Sequence, residues 1–227
     1  MTKQEAVTQI MGGIYHITDT ALLHRLEAHG EVRRFERGEV IQHSGTRVAE
    51  AMFVISGVIR AYFFSGKGEE LTDCFLSDFG FSTIIPDAER LAFLQCEALT
   101  HVEVLVLPLS FVFKEIAQSE QFLKAYNHML NWSILFHWQI KNSRICYNGT
   151  ERYAWFRKRF PEAAKVAYGK DVASFLGLAP ETLSRIRKAA VEVELFPIMV
   201  DMKTDSSSDD LLKSIAGGNG PKAPLQN

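Results

Sequence analysis

Six polar or charged side chains crowd one short stretch of the chain: Glu181, Thr182, Ser184, Arg185, Arg187 and Lys188, within PETLSRIRKAA. Carried on a helix in a major groove, an arginine can make paired hydrogen bonds to guanine O6 and N7, and a glutamate can accept from cytosine N4. Arg185 and Glu181 suit those roles. Thr182, Ser184, Arg187 and Lys188 suit backbone contacts, which orient a protein on a duplex without reading its sequence. The plainer alternative is an exposed helix whose cations are merely solvated.

The residues just upstream decide between these readings. In GKDVASFLGLAPETLSRIRKAA, Val172, Leu176, Leu178, Leu183 and Ile186 fall at inward positions of two short helices. Ala173 permits a close crossing, and Gly177 can take the turn conformation between them. The pattern predicts a helix-turn-helix. Pro180 suits a first helical position, where a missing N–H removes no intrahelical bond. Ala179 before it is the expected N-cap, although it lacks the side-chain oxygen of a good one. Upstream, ERYAWFRKRFPE adds Arg157, Lys158 and Arg159 to the phosphate-facing side.

Charge is concentrated in the same place. Residues 151–190 hold nine Lys/Arg against four Asp/Glu, whereas the whole 227-residue chain has a net charge of −2. A basic segment in an otherwise acidic chain is the electrostatic footprint of a nucleic-acid partner. Enzymatic readings find no comparable signal. The seven His show no HExxH spacing, and neither G-x-S-x-G nor a P-loop occurs. No catalytic or metal-ligating residue is therefore assigned.

The elements that must position this segment are legible upstream. EVRRFERGEVIQ, AMFVISGVIRAYFF, EELTDCFLS and LQCEALTHVEVLVLP are short bursts rich in Val, Ile, Phe and Tyr, bounded by glycines and prolines. They predict a small β-roll or barrel. Gly66 and Gly68, between two of the bursts, are expected to supply positive φ in a hairpin.

After Pro108, the run SFVFKEIAQSEQFLKAYNHMLNWSILFHWQIKNSRICY has no Gly or Pro, so one long helix is expected over residues 111–148. Phe122, Tyr126, Met129, Ser133, Phe136, Ile140 and Tyr147 share a face. Either the chain's own domains cover that stripe or a second copy does. Its length favours a homodimer. Asn148-Gly149-Thr150 marks the next boundary, and from residue 205 the chain is polar and rich in Gly, Ser and Pro, as expected for a mobile tail. Cys74, Cys96 and Cys146 are too scattered for a disulfide framework and are expected as small buried hydrophobes. No apolar run reaches membrane-spanning length and no secretory leader is evident, so a cytoplasmic protein with no membrane partner is expected.

This arrangement resembles the Crp/Fnr family of bacterial transcription regulators. DVASFLGLAPETLSRIRK is the most specific element and is similar to Bacteroidetes-type members; glycine placement in MFVISGVIRAYFFSGKGEELTDCFLSDFGF supports it. The resemblance implies an α+β protein with a cyclic-nucleotide-binding-like, jelly-roll-like double-stranded β-roll at 1–110. A dimerisation helix at 111–148 and a winged helix-turn-helix at 149–204 would follow. It also implies double-stranded DNA as partner, bound by a dimer on a pseudo-palindromic site through residues 180–188. Cyclic-nucleotide-binding relatives hold the phosphate with Gly-Glu and Arg-Ser pairs, but here Gly80 precedes Phe81, and Ala92-Phe93 stands where Arg-Ser would fall. Cyclic AMP is therefore not the expected cofactor. Gly80, Phe81, Glu89, Arg90 and Phe93 remain the candidate lining of a pocket for an unidentified small-molecule effector. The rival reading is a small-molecule sensor or scaffold whose helix-turn-helix contacts protein.

Overall fold

A computed structural model of the chain describes residues 1–77, the backbone of 81–82, and 91–189. The expectations for Gly80, Glu89 and Arg90, for a wing after Ala190 and for a tail from residue 205 concern residues outside these, as does the side chain of Phe81.

The bursts are strands, paired antiparallel in two four-stranded sheets. In chain order they are β1 (Glu31–Phe35), β2 (Val40–Gln42), β3 (Glu50–Ser56), β4 (Val58–Phe64), β5 (Glu70–Ser77), β6 (Phe81–Ser82), β7 (Gln95–Ala98) and β8 (Val102–Pro108). The first sheet runs β1-β8-β3-β6 and the second β2-β7-β4-β5. Alternation along each strand sends Met52, Val54, Val104 and Val106 inward from one sheet, together with Ile59, Ala61, Cys74, Leu76 and Cys96 from the other. Cys74 and Cys96 are thus core residues, and burial pushes the Cys96 thiol up to about 12. Cys146 departs from the expectation: it ends a helix and is exposed.

Gly57 alone joins β3 to β4 and carries the chain from one sheet to the other. Its φ is +94°, and a Cβ there would run into the carbonyl oxygen of His101 and stand 2.9 Å from Val102 Cα. In the next hairpin, only Gly68 of the two expected glycines takes positive φ, at +79°.

Both outer faces of the roll are covered. Ala51, Phe53, Ile55, Leu105 and Leu107 of the first sheet pack on N-terminal helices α1 (Lys3–Val7) and α2 (Thr20–His29), a π-helical turn at Thr8–Ile14, and the helices after Pro108. Those helices are two, α3 (Leu109–Gln118) and α4 (Glu120–Cys146), not one. Ser119 leaves the helical conformation (φ −121°, ψ 115°), and its side chain accepts from the N–H of Phe122, capping α4.

The apolar stripe of α4 is buried within its own chain. Phe122, Tyr126 and Met129 join the N-terminal core, while Phe136 and Ile140 join the core of the roll and the C-terminal helices. The stripe that favoured a second copy is therefore already covered. Both outer faces of the roll, and not its interior alone, offer apolar surface to the helix, which periodicity along the chain does not reveal.

Replacing Gly57 with Ala is expected to destabilise the chain by about 3 kcal/mol, from positive φ combined with backbone overlap. Chemical denaturation should show a lower midpoint, with strand content retained below the transition.

Candidate nucleic-acid interface

Four helices form the C-terminal module: α5 (Gly149–Arg159), α6 (Pro161–Val166), α7 (Gly169–Leu176) and α8 (Pro180–Ala189). Asn148 opens it with a capping box, its side chain accepting from the N–H groups of Thr150 and Glu151 while the Glu151 carboxylate accepts from the Asn148 N–H. The helix-turn-helix is α7 and α8. Gly177 sits between them in the left-handed region (φ +64°, ψ +40°), and its N–H and that of Leu178 return to carbonyls of α7. Val172, Ala173, Leu176 and Leu183 are buried where the pattern placed them, with Leu178 and Ile186 half-buried beside them.

Two arginines that sequence reasoning left without a role hold the end of α7. Arg152 donates to the carbonyls of Tyr147 (2.9 Å) and Leu176 (2.8 Å), and Arg144 of α4 donates from Nε to the carbonyl of Phe175 (3.0 Å). Guanidinium groups at a helix C-terminus satisfy carbonyls with no intrahelical donor and complement the helix dipole. Burial pushes the Arg144 guanidinium below its ordinary range. Polar partners for the last turn were the available signal, but from sequence alone any basic residue of the region could have supplied them.

The six named residues of α8 divide by side. Leu183 is the buried anchor of the helix. At 100° per residue, Glu181, Ser184, Arg185 and Lys188 lie on the side away from Leu183 and half-buried Ile186 taken together, and all four are exposed. Thr182 is half-buried at the flank. Arg187, though exposed, lies back over the Tyr153 ring at 5.5 Å from its centroid. Of the upstream cations, Arg157 and Lys158 are exposed. Arg159 is half-buried, bonded to Gln139 and set over the rings of Phe136 and Phe160, so the expectation that it faces phosphate is corrected.

The candidate effector lining fares differently. Ala92 exchanges backbone bonds with the segment at Gly45 and Thr46, which turns Ala92 inward and Phe93 outward, and Phe93 is 64% exposed. It stands on the surface, and the other residues of the expected lining, for Phe81 its side chain, are outside the described ones. Among the described residues no His, Cys, Asp and Glu are grouped to hold a metal ion, and no helix is long and apolar enough to cross a membrane.

A two-sheet roll, a long helix and a helix-turn-helix together make the architecture of the Crp/Fnr regulators, and solved structures of that class superpose on the chain. FixK2 from Bradyrhizobium japonicum matches with a TM-score of 0.61 at 17% identity, over 70% of this chain and 83% of its own. CLP, the c-di-GMP-responsive global regulator of Xanthomonas campestris, matches at 0.61 and 15% identity, over 75% and 91%. A CRP/FNR-family transcriptional regulator from Thermus thermophilus matches at 0.57 and 18% identity, over 73% and 90%. No protein-family model matches the sequence, and no curated protein matches it. The chain has the Crp/Fnr fold.

Replacing Ala179 with Thr should supply the side-chain acceptor that α8 lacks and raise stability by about 1 kcal/mol. Thermal melting checks it; no gain would place the helix start elsewhere.

Proposed function

We propose that this chain is a sequence-specific, DNA-binding transcription regulator of the Crp/Fnr type. The observation that carries the reading is the outward quartet Glu181, Ser184, Arg185 and Lys188, set opposite the face of buried Leu183 and half-buried Ile186 on the second helix of a helix-turn-helix. Such a helix enters a major groove with polar side chains toward base edges while its partner helix crosses the backbone. Exposed Arg157 and Lys158 add positive charge for phosphates. Superposing structures are named as regulators of gene expression, which accords with this reading. Cyclic AMP is not its effector in this proposal, because Ala92 and Phe93 stand where relatives place an Arg-Ser pair.

The working form is a homodimer, but on a different face of α4 from the one the periodicity singled out. Leu123, Ile134, Leu135, Trp138 and Ile145 are exposed, and Leu123, Ile134, Trp138 and Ile145 form a second stripe along the helix. Trp138 is 54% and Ile145 69% exposed. Pairing of two α4 helices would cover this stripe and set the spacing of the two α8 helices on a symmetric site.

Two experiments test the proposal. Arg185→Ala should weaken operator binding by about 1–3 kcal/mol and relax one base position, whereas Lys188→Ala should weaken all duplexes alike and flatten the salt dependence. Equal effects of both changes on operator and random DNA would remove base reading, and binding indifferent to salt would favour the protein-contact alternative. For the dimer, sedimentation at micromolar concentration should give a dimer for the native chain and a folded monomer for Ile134→Glu/Trp138→Glu. A native monomer would refute pairing through α4.

A further inference from the structure

Arg60 is charged, 2% exposed, and set in a strand that is otherwise apolar through its first five residues. It projects from the outer face of the second sheet into the contact with α7. Its Nε donates to Thr72 Oγ1 at 2.9 Å and its Nη1 to Glu70 at 2.7 Å, with Glu97 at 4.0 Å. Its Nη2 reaches across to Asp171 of α7 at 3.1 Å, and its central guanidinium carbon lies 4.2 Å from the centre of the Tyr62 ring. Asp171 is itself 3% exposed. Beside this node the Thr72 N–H donates to Ser174 Oγ of α7 at 3.0 Å.

Every element meeting at the node contributes to its charge balance. β4 brings Arg60 and Tyr62, β5 brings Glu70, β7 brings Glu97, and α7 brings Asp171 with Lys170 nearby. Three carboxylates thus converge on one buried guanidinium. Burial pushes the carboxyls of Asp171 and Glu97 above the ordinary carboxylate range; Arg60 and Lys170 oppose the rise and Glu70 adds to it.

We propose that the Arg60 node is a proton-tuned clamp that fastens the helix-turn-helix to the β-roll, tightening as pH falls and loosening as it rises. The reason is the surplus of carboxylates: closed, the node gains by binding a proton, and opened, water takes over the solvation of its charges. A closed state that binds protons more strongly is favoured below the raised carboxyl pKa values and loses that advantage as pH climbs through them. Because α8 is carried on α7 and α5, loosening the node lets α7, and with it the DNA-reading helix, shift on the sheet while the phenylalanine core stays packed. This rests on the DNA-binding reading only for its consequence, since the clamp itself involves no DNA.

Amide hydrogen exchange of the full chain, corrected for intrinsic rates, tests it. Protection at the Thr72 amide and along α7 should fall severalfold as pH rises from about 4, the ordinary carboxylate value, to about 8. Glu97→Gln/Asp171→Asn keeps shape and hydrogen bonding but removes the surplus charge, so protection should stay high at both pH values. Arg60→Met should lower protection at both; if that variant does not fold, the double variant decides alone. Equal protection of the native chain across this range, or a pH response that survives in the double variant, would overturn the clamp. Duplex affinity measured on the same samples separates the two ideas: a responsive clamp in a chain that ignores every duplex would sink the DNA-binding reading and leave the clamp standing.

Discussion

The outer face of the second sheet has to be covered, and nearly everything about the C-terminal half follows from how. Phe75, in the middle of β5, points away from the roll's interior because its neighbours Cys74 and Leu76 point into it. Its ring packs against Phe156, Phe160 and Phe175 at centroid separations of 5.6, 6.4 and 5.4 Å. These rings come from α5, its C-terminal boundary and α7, so the helix-turn-helix module and the roll share one continuous apolar core. A fully buried Phe contributes about 1.5–3 kcal/mol, and exposing four of them together would be prohibitive for a domain of ordinary stability. The module is therefore part of the roll's packing.

That constraint also explains α4. The helix runs past both covered faces, so its buried stripe is shared between two cores: Phe122 to Met129 on the N-terminal side, Phe136 and Ile140 on the C-terminal side. Trp132 stacks on Phe136 at 5.1 Å, and Phe136 meets Phe160 at 5.9 Å, tying the helix to the aromatic cluster. With one stripe committed inside the chain, Ile134, Trp138 and Ile145 are left on the opposite side. An exposed apolar stripe on a helix already anchored along its length is a rigid surface, the kind that can pair without ordering anything first.

How far the sequence could be read depended on whether a feature was local. The two helices around Gly177 were legible from their starts and the turn between them, because a left-handed glycine, a Pro at the first position and a 3–4 spaced apolar pattern are all short-range signals. The strands were legible as bursts between turn formers, although Gly66 and Gly68 look alike in sequence and only the backbone separates them. The break at Ser119 was missed because no Gly or Pro marks it; a serine with a glutamate after it was the available cue. The covering of α4 and the placement of Phe93 were beyond a local reading. Periodicity says which residues share a face, and only the tertiary arrangement says what that face meets.

Arg60 belongs to the same non-local category, and its presence calls for a reason. Replacing a buried ion pair with apolar side chains of similar volume is often neutral or stabilising, so stability alone does not account for a guanidinium at this position. The aromatic cluster next to it already supplies the burial. Rings packed on a sheet face tolerate small slides, because dispersion and apolar burial have little directionality. The bonds from Arg60 to Thr72, Glu70 and Asp171, with that from Thr72 to Ser174, do not tolerate them, since each weakens steeply when its geometry is lost. The charged node therefore fixes where α7 sits on the sheet, while the phenylalanines supply the hold, and through α7 it fixes the position of the helix that carries Arg185.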